Sequence, residues 1–222
     1  MHQINLCRTT LCYHSFRCTK KTAGPSLEKI DLLFLQQPRV NPRLSNNNAM
    51  ITIFCSQFKT VSQEIYDSVI QKLQLHQMTC SCGHTACLSV HGYYGRGIKN
   101  EDGTTIITVC RVRCSVCGHT HALLLSSMVP YSQIQAFHQW RICDDYESQR
   151  DVCSICEDVI AIDENNVKYV LRNYRKHWRE MLRSLRLSLS SFTDLVLSCF
   201  FNYSMQFMQI RRTANRLFHR TT

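Results

Sequence analysis

The chain has 222 residues, of which 44% are apolar and 19% charged, with fourteen cysteines and a net charge of +10 at neutral pH. That apolar content supports a packed core. Fourteen cysteines without a secretory signal argue against a disulfide scaffold and for metal binding in a reducing, cytoplasmic setting. The longest apolar stretch, Leu195 to Ile210, is interrupted by Ser198, Asn202, Ser204, Gln206 and Gln209 and falls short of the about 20 residues of a bilayer span, so no membrane association is expected.

The charge is unevenly placed. Residues 1–49 carry +5, residues 50–167 carry −4, and residues 168–222 carry +9, with eleven Lys/Arg against two acids. Positive charge gathered in the last quarter of a chain points to a polyanionic partner.

Taken in order, residues 1–49 hold Pro25, Pro38, Pro42 and the Ser45–Asn48 run, and no helical or strand period persists. A disordered extension is expected there, with translation from Met50 as the alternative. Met50 to Phe54 is strand-like. From Ser62, a plausible N-cap, Ile65, Val69, Ile70, Leu73 and Leu75 follow helical spacing.

Two cysteine clusters follow, Cys80-Ser-Cys82-Gly83-His84-Thr-Ala-Cys87 and Cys114-Ser-Val-Cys117-Gly118-His119-Thr-His121. Between them lie strand-like runs, Leu88 to Tyr94 and Thr104 to Arg113, joined by a turn signal at Asn100 to Gly103. A hairpin would bring the clusters together, and four soft thiolates converging in this way are what tetrahedral zinc requires. The expected ligands of Zn2+ are Cys80, Cys82, Cys114 and Cys117, because Cys82-Gly83 echoes Cys117-Gly118. Cys87 is held in reserve, since Cys80-x-Cys82 is one residue short of the usual spacing. Cys110 is expected to point off a strand. His84, His119 and His121 are read as polar residues of the hairpin rim that could stand in for a missing sulfur.

Several of these residues, with their neighbours, carry a resemblance. His91-Gly-Tyr-Tyr with Arg96, the run from Cys110 to Leu124, and Val129-Pro-Tyr131 resemble the amino-terminal zinc ribbon of bacterial insertion-sequence transposases. They resemble more closely an uncharacterised bacterial family, of domain-of-unknown-function status, that shares the module. The resemblance spans roughly residues 50 to 210 and is specific from Cys80 to Tyr131. It implies association with mobile elements and DNA binding.

After the second cluster, Ala122 to Leu125 reads as a buried strand that Pro130 ends. From Tyr131 the sequence is helical. One helix is expected around Ile134 to Ile142, and a short one around Val152 to Val159. A turn at Ala161 to Asp163 then leads, with Asp163 as N-cap, into a long helix. Short helix, turn and long helix read as a helix-turn-helix, with two helices of an ordinary bundle as the alternative. In the long helix Val167, Val170, Leu171, Tyr174, Trp178, Met181, Leu182 and Leu185 share one arc, and Lys168, Arg172, Arg175, Arg179, Arg183 and Arg186 another, with Lys176 at its border. Glu180 is the single acid between Val167 and Leu185, so the basic arc reads as a polyanion-binding face. In that reading Asn165, Asn166, Lys168 and Arg172 meet base edges, and Arg175, Arg179, Arg183 and Arg186 meet phosphates. Residues 194–208 form an apolar helix suited to core packing or to a homodimer interface.

The expected fold class is α+β, a small zinc-ribbon β-hairpin module followed by an all-α helix-turn-helix region with a long basic amphipathic helix. The expected divisions are 1–49, 50–130, 131–188 and 189–222. The expected function is zinc-dependent binding of double-stranded DNA. Two alternatives stand beside it, the binding half of a transposase without its catalytic half and a zinc-ribbon adapter for a protein. No enzyme and no small-molecule substrate is expected, because Asp144, Asp145, Asp158 and Asp163 sit at helix-turn positions and not on a sheet where carboxylates could converge on magnesium.

Overall fold

A computed structural model describes residues 50–55, 61–203 and 208. The expectations for residues 1–49, for residues 204–207 and for the basic tail at Arg211, Arg212 and Arg216 lie outside the described residues. The fold is mixed α+β, built on one four-stranded sheet in the order β1-β4-β3-β2. Its strands are β1 (Met50–Ile53), β2 (Leu88–Asn100), β3 (Gly103–Cys114) and β4 (Thr120–Leu125).

The hairpin is longer than its apolar runs suggest. β2 and β3 pair antiparallel from Leu88↔Cys114 out to Asn100↔Gly103, with a bulge between Val90 and Gly92. The turn holds only Glu101 and Asp102, and Gly103 closes it at φ +134°, a conformation that side chains disfavour. Extension beyond Tyr94 was hard to read because Gly95, Gly97 and Lys99 blur the apolar alternation. At the other end β4 joins β3 through Arg111↔Ala122, Val112↔His121 and Arg113↔Thr120. It then leaves β3 to pair in parallel with β1, from Met50↔Ala122 to Ile53↔Leu125. This central position buries Leu123, Leu124 and Leu125 together.

Helix α1 (Gln63–Gln71) fills the gap where β4 parts from β3. Ser62 caps it as expected, its hydroxyl accepting from the Ile65 amide at 3.3 Å. The Tyr66 hydroxyl accepts from the Cys110 amide at 2.8 Å and donates to the Leu123 carbonyl at 2.9 Å. Gln63 accepts from the Thr108 amide at 2.7 Å. Helical side chains thus satisfy backbone groups of the diverging strands. Leu73 lies past the helix, and Leu75 opens a separate 3-10 turn, Leu75–Gln77, that leads to the first cysteine cluster.

The remaining helices are α2 (Ala136–Glu147), α3 (Ser154–Asp158), α4 (Glu164–Asn173), α5 (Arg179–Ser184) and α6 (Phe192–Tyr203). Asp163 caps α4 through the Asn166 amide at 2.8 Å, as expected. The long helix, read as a continuous 100° repeat, is in fact interrupted. Tyr174–Trp178 winds as a π-helical turn between α4 and α5. No proline or glycine marks this widening in the sequence, yet Val167, Val170, Tyr174, Trp178, Met181 and Leu182 all remain buried. The turn from α3 to α4, Val159 to Asp163, is longer than the three or four residues of a helix-turn-helix, and α3 itself is only five residues.

The buried apolar side chains form two clusters. One gathers the sheet with Tyr66, Val69, Met78 and the cysteines Cys80, Cys87, Cys110 and Cys114. The other gathers α2 to α6, from Val129 through Ile142, Val170 and Trp178 to Phe200, and takes in Phe54 from beyond β1. The inward face of α6, with Leu195, Val196, Cys199 and Phe200, is occupied by this packing. Among the described residues no helix is long and apolar enough to cross a membrane.

The tip of the hairpin fastens one cluster to the other. The Lys99 amide donates to the Gln133 carbonyl at 2.9 Å. The Lys99 ammonium donates to the Ala161 carbonyl and to Asn166 Oδ1, each at 2.6 Å. Gln135 donates to Asn100 Oδ1 at 2.6 Å, and the Ile160 amide to the Glu101 carbonyl at 3.3 Å. Arg96, lower on β2, holds the carbonyls of Val129 and Ser132.

Candidate metal centre and basic face

Each cysteine cluster folds into a tight knuckle. In the first, the Cys80 amide donates to the His84 carbonyl at 2.9 Å and the Gly83 amide to the Cys80 carbonyl at 2.8 Å. In the second, the Cys114 amide donates to the His119 carbonyl at 2.9 Å and the Gly118 amide to the Cys114 carbonyl at 3.0 Å. The same two bonds close both loops, and the first loop is simply one residue shorter. Gly83 and Gly118 both stand at positive φ, +91° and +72°, which explains the glycine after each second cysteine. The compressed Cys80-x-Cys82 spacing is therefore a shorter version of the same turn. The knuckles meet through the Leu88↔Cys114 pair and the Ser115 amide, which donates to the Cys87 carbonyl at 2.8 Å.

The four sulfurs of Cys80, Cys82, Cys114 and Cys117 all lie within 4.8 Å of one another. Cys80 and Cys117 are 3.6 Å apart, and Cys82 and Cys114 are 3.8 Å apart. These separations are far beyond the roughly 2.05 Å of a disulfide. A tetrahedral ion bonded to four thiolates at about 2.3 Å has sulfur–sulfur edges of about 3.8 Å. The cluster has that size and could hold a metal ion. Cys87 stays outside it, its thiol donating to the His84 carbonyl at 3.1 Å. Cys110 is buried on β3 away from the four, as expected.

His121 departs from its expected place on the rim. It is buried on β4, with Nε2 3.3 Å from Cys80 Sγ. The sulfur of a fully buried member of the cluster thus has a ring nitrogen beside it, a contact of the kind that orients metal ligands. No alternation marks this place of His121, because every residue from His121 to Leu125 on this central strand is buried. His84 also reaches a sulfur, with Nδ1 3.4 Å from Cys82 Sγ.

The thiols are electrostatically unequal. The Cys117 amide, donating to Cys114 Sγ at 3.4 Å, leads the causes that pull the Cys114 thiol down to about 5. The His84 amide and then its ring hold Cys82 below the usual thiol range. Burial pushes Cys80 up. A depressed Cys114 value means that the folded form binds this proton more weakly than the unfolded chain. Its contribution to stability is full above an unfolded thiol value of about 8.5 and lost as the pH falls through about 5. Because protons compete with a metal for the four thiolates, metal content after dialysis is expected to fall as the pH is lowered from neutral, as metal analysis of dialysed samples will measure.

The basic arc is less uniform than its spacing suggests. Lys168 pairs with Glu164 at 3.1 Å, Arg179 with Glu147 at 2.7 Å, and Arg183 with Glu180 at 3.8 Å. Two of these acids lie outside the Val167 to Leu185 window, where the sequence reading did not weigh them. Arg172 lies over the Tyr169 ring at 5.6 Å and Arg175 over Tyr146 at 6.0 Å. Arg186 is exposed, with φ +54° at the end of the rod. Asn165 is exposed, whereas Asn166 accepts from Lys99 at the hairpin tip. Lys99 and Tyr66 are the connecting residues that the sequence reading did not single out.

No curated protein and no solved structure matches the chain. Residues 79–154, which take in both knuckles, the hairpin, β4 and α2 but stop short of the basic rod, match the family model described as Domain of unknown function (DUF6431).

Proposed function

We propose that the chain is a zinc-dependent DNA-binding protein, transposase-like and associated with mobile elements, in which a zinc ribbon and the basic rod of the helical region engage one duplex. The observation that carries this reading is a four-thiol cluster of tetrahedral dimensions on a hairpin whose tip is bonded, through Lys99, to the start of the basic rod. Four thiolates suit zinc, which needs no redox partner and binds four sulfurs in closed structural sites. The rod supplies phosphate contacts, which are sequence-independent and sensitive to salt.

The reading carries no catalytic step. Asp144 and Asp145 pair with Arg150, Asp145 and Asp158 with Arg141, and Asp163 caps α4. Carboxylates so engaged are poorly placed to gather a catalytic magnesium, which favours the binding half of a transposase over a complete one. The adapter reading draws on a different observation, that Lys168, Arg179 and Arg183 already have acidic partners within the fold.

The test is fluorescence anisotropy of the full chain with a labelled duplex, across a salt series and with zinc present or chelated. The expected result is binding that weakens steeply with salt and disappears on chelation. Absence of binding by zinc-loaded protein at about 50 mM salt, where phosphate contacts are strong, would reject the DNA reading in favour of the adapter.

A further inference from the structure

A recognition helix of a helix-turn-helix presents its first turns to base edges. Here those turns are occupied and negatively charged. Asp163 and Glu164 open α4, and the Ile160 amide bond to Glu101 brings the hairpin turn, with exposed Glu101 and Asp102, against the segment that enters it. Asn166 Oδ1 is held by Lys99, and Lys168 by Glu164. A phosphodiester chain approaching this end meets four carboxylates and two cations that are already engaged, Lys99 by the Ala161 carbonyl and Asn166 and Lys168 by Glu164.

The middle of the rod is different. Arg172, Arg175 and Lys176, spaced i, i+3 and i+4, are exposed around a single turn, and none of the three has a carboxylate partner among the described residues. Like charges at this spacing repel one another, so the arrangement is destabilising unless an anion covers it. Two of the three are also ordered in advance. The guanidinium of Arg172 rests over Tyr169, and that of Arg175 over Tyr146 while its Nε donates to the Leu171 carbonyl at 3.4 Å. A stacked guanidinium keeps its in-plane N–H groups available for phosphate oxygens and loses little side-chain freedom when it binds them.

We infer that the nucleic-acid backbone lies across the middle of the rod at Arg172, Arg175 and Lys176, and that the start of α4 does not enter a groove to read bases. This rests on the DNA-binding reading and names the surface and the chemistry it recognises: phosphodiester oxygens, with little discrimination among sequences.

The experiment measures anisotropy of the zinc-loaded full chain on two labelled duplexes of unrelated sequence, across a salt series. Arg172→Gln/Arg175→Gln is compared with Asn165→Ala, and thermal melting confirms that both are folded. The expected result is that the arginine pair loses at least about tenfold in affinity on both duplexes alike, with the slope of log K against log salt falling by about 1.8, or 0.9 per phosphate contact. Asn165→Ala is expected to match the wild type on both, and Lys176→Gln to reproduce part of the arginine effect. If Asn165→Ala changes the ratio of affinities between the duplexes while the arginine pair leaves affinity and slope unchanged, the surface is misassigned although the DNA reading stands. If the wild type binds neither duplex, both are overturned, and a competition series with an acidic polypeptide then identifies the patch as a protein contact.

Discussion

Cys114→Ser/Cys117→Ser is expected to abolish metal binding and to unfold the knuckle end of the sheet. Wild-type protein should carry about one zinc per chain, and the double variant none, in metal analysis after gel filtration. The effect should be large because a structural zinc supplies on the order of 10–16 kcal/mol of apparent binding free energy that is also folding free energy. Cys114 ends β3, pairs with Leu88 and heads the second knuckle, so its loss reaches the hairpin as well as the ion. Within the first knuckle the geometry separates the candidates. Cys80→Ser should lose the metal and Cys87→Ser should keep it, since the Cys87 thiol points to the His84 carbonyl outside the four-sulfur group. Stoichiometric zinc in the Cys114/Cys117 double variant would remove the four-thiol site altogether.

The four-thiol cluster was legible because its signal is local. Cys-x-x-Cys-Gly and Cys-x-Cys-Gly each encode a turn, and Asn100 to Gly103 encodes the hairpin that superposes them, so three short motifs bring four thiols together. The N-caps Ser62 and Asp163 were legible for the same reason, as each acts on amides within three residues. What escaped the reading depends on chain segments far apart in sequence. Lys99 reads as one charged residue in a strand, and only the folded hairpin shows that it reaches Ala161 and Asn166. The partial neutralisation of the basic arc has this origin only at Arg179, whose partner Glu147 lies on another helix and is brought to it by the packing of α2 on the rod, whereas Glu164–Lys168 and Glu180–Arg183 are local pairs at helical spacing. The π turn at Tyr174–Trp178 is a further case, because it changes the helical period without a residue that announces it. The place of His121 is another such case, because a histidine among histidines near a cysteine knuckle looks like surface until β4 is seen to be central.

Tyr66→Phe is expected to destabilise the fold by about 2–4 kcal/mol, although it removes a single oxygen. The hydroxyl sits where β4 turns from β3 to β1, and it stands in for the backbone pairing that this departure breaks. It accepts from the Cys110 amide at 2.8 Å and donates to the Leu123 carbonyl at 2.9 Å, and Tyr66, Cys110 and Leu123 are all buried. Phenylalanine keeps the ring and its packing against the sheet but leaves one buried donor and one buried acceptor without partners. Each such group costs about 1–3 kcal/mol, more than the net worth of an ordinary hydrogen bond, because water cannot replace the lost partner. Burial also raises the phenol far above its usual ionisation range, so the hydroxyl keeps its proton, and the donated bond with it, at any working pH. The wild-type and variant proteins should therefore be compared by urea denaturation with zinc saturating, where the midpoint falls and the slope stays constant if only stability has changed. Tyr66→Leu is the contrasting variant, since it also loses ring packing and should fall further. A Tyr66→Phe midpoint within error of the wild type would mean that β3 and β4 close on each other without the hydroxyl, and that α1 is a lid over the sheet and not the element that joins its diverging strands.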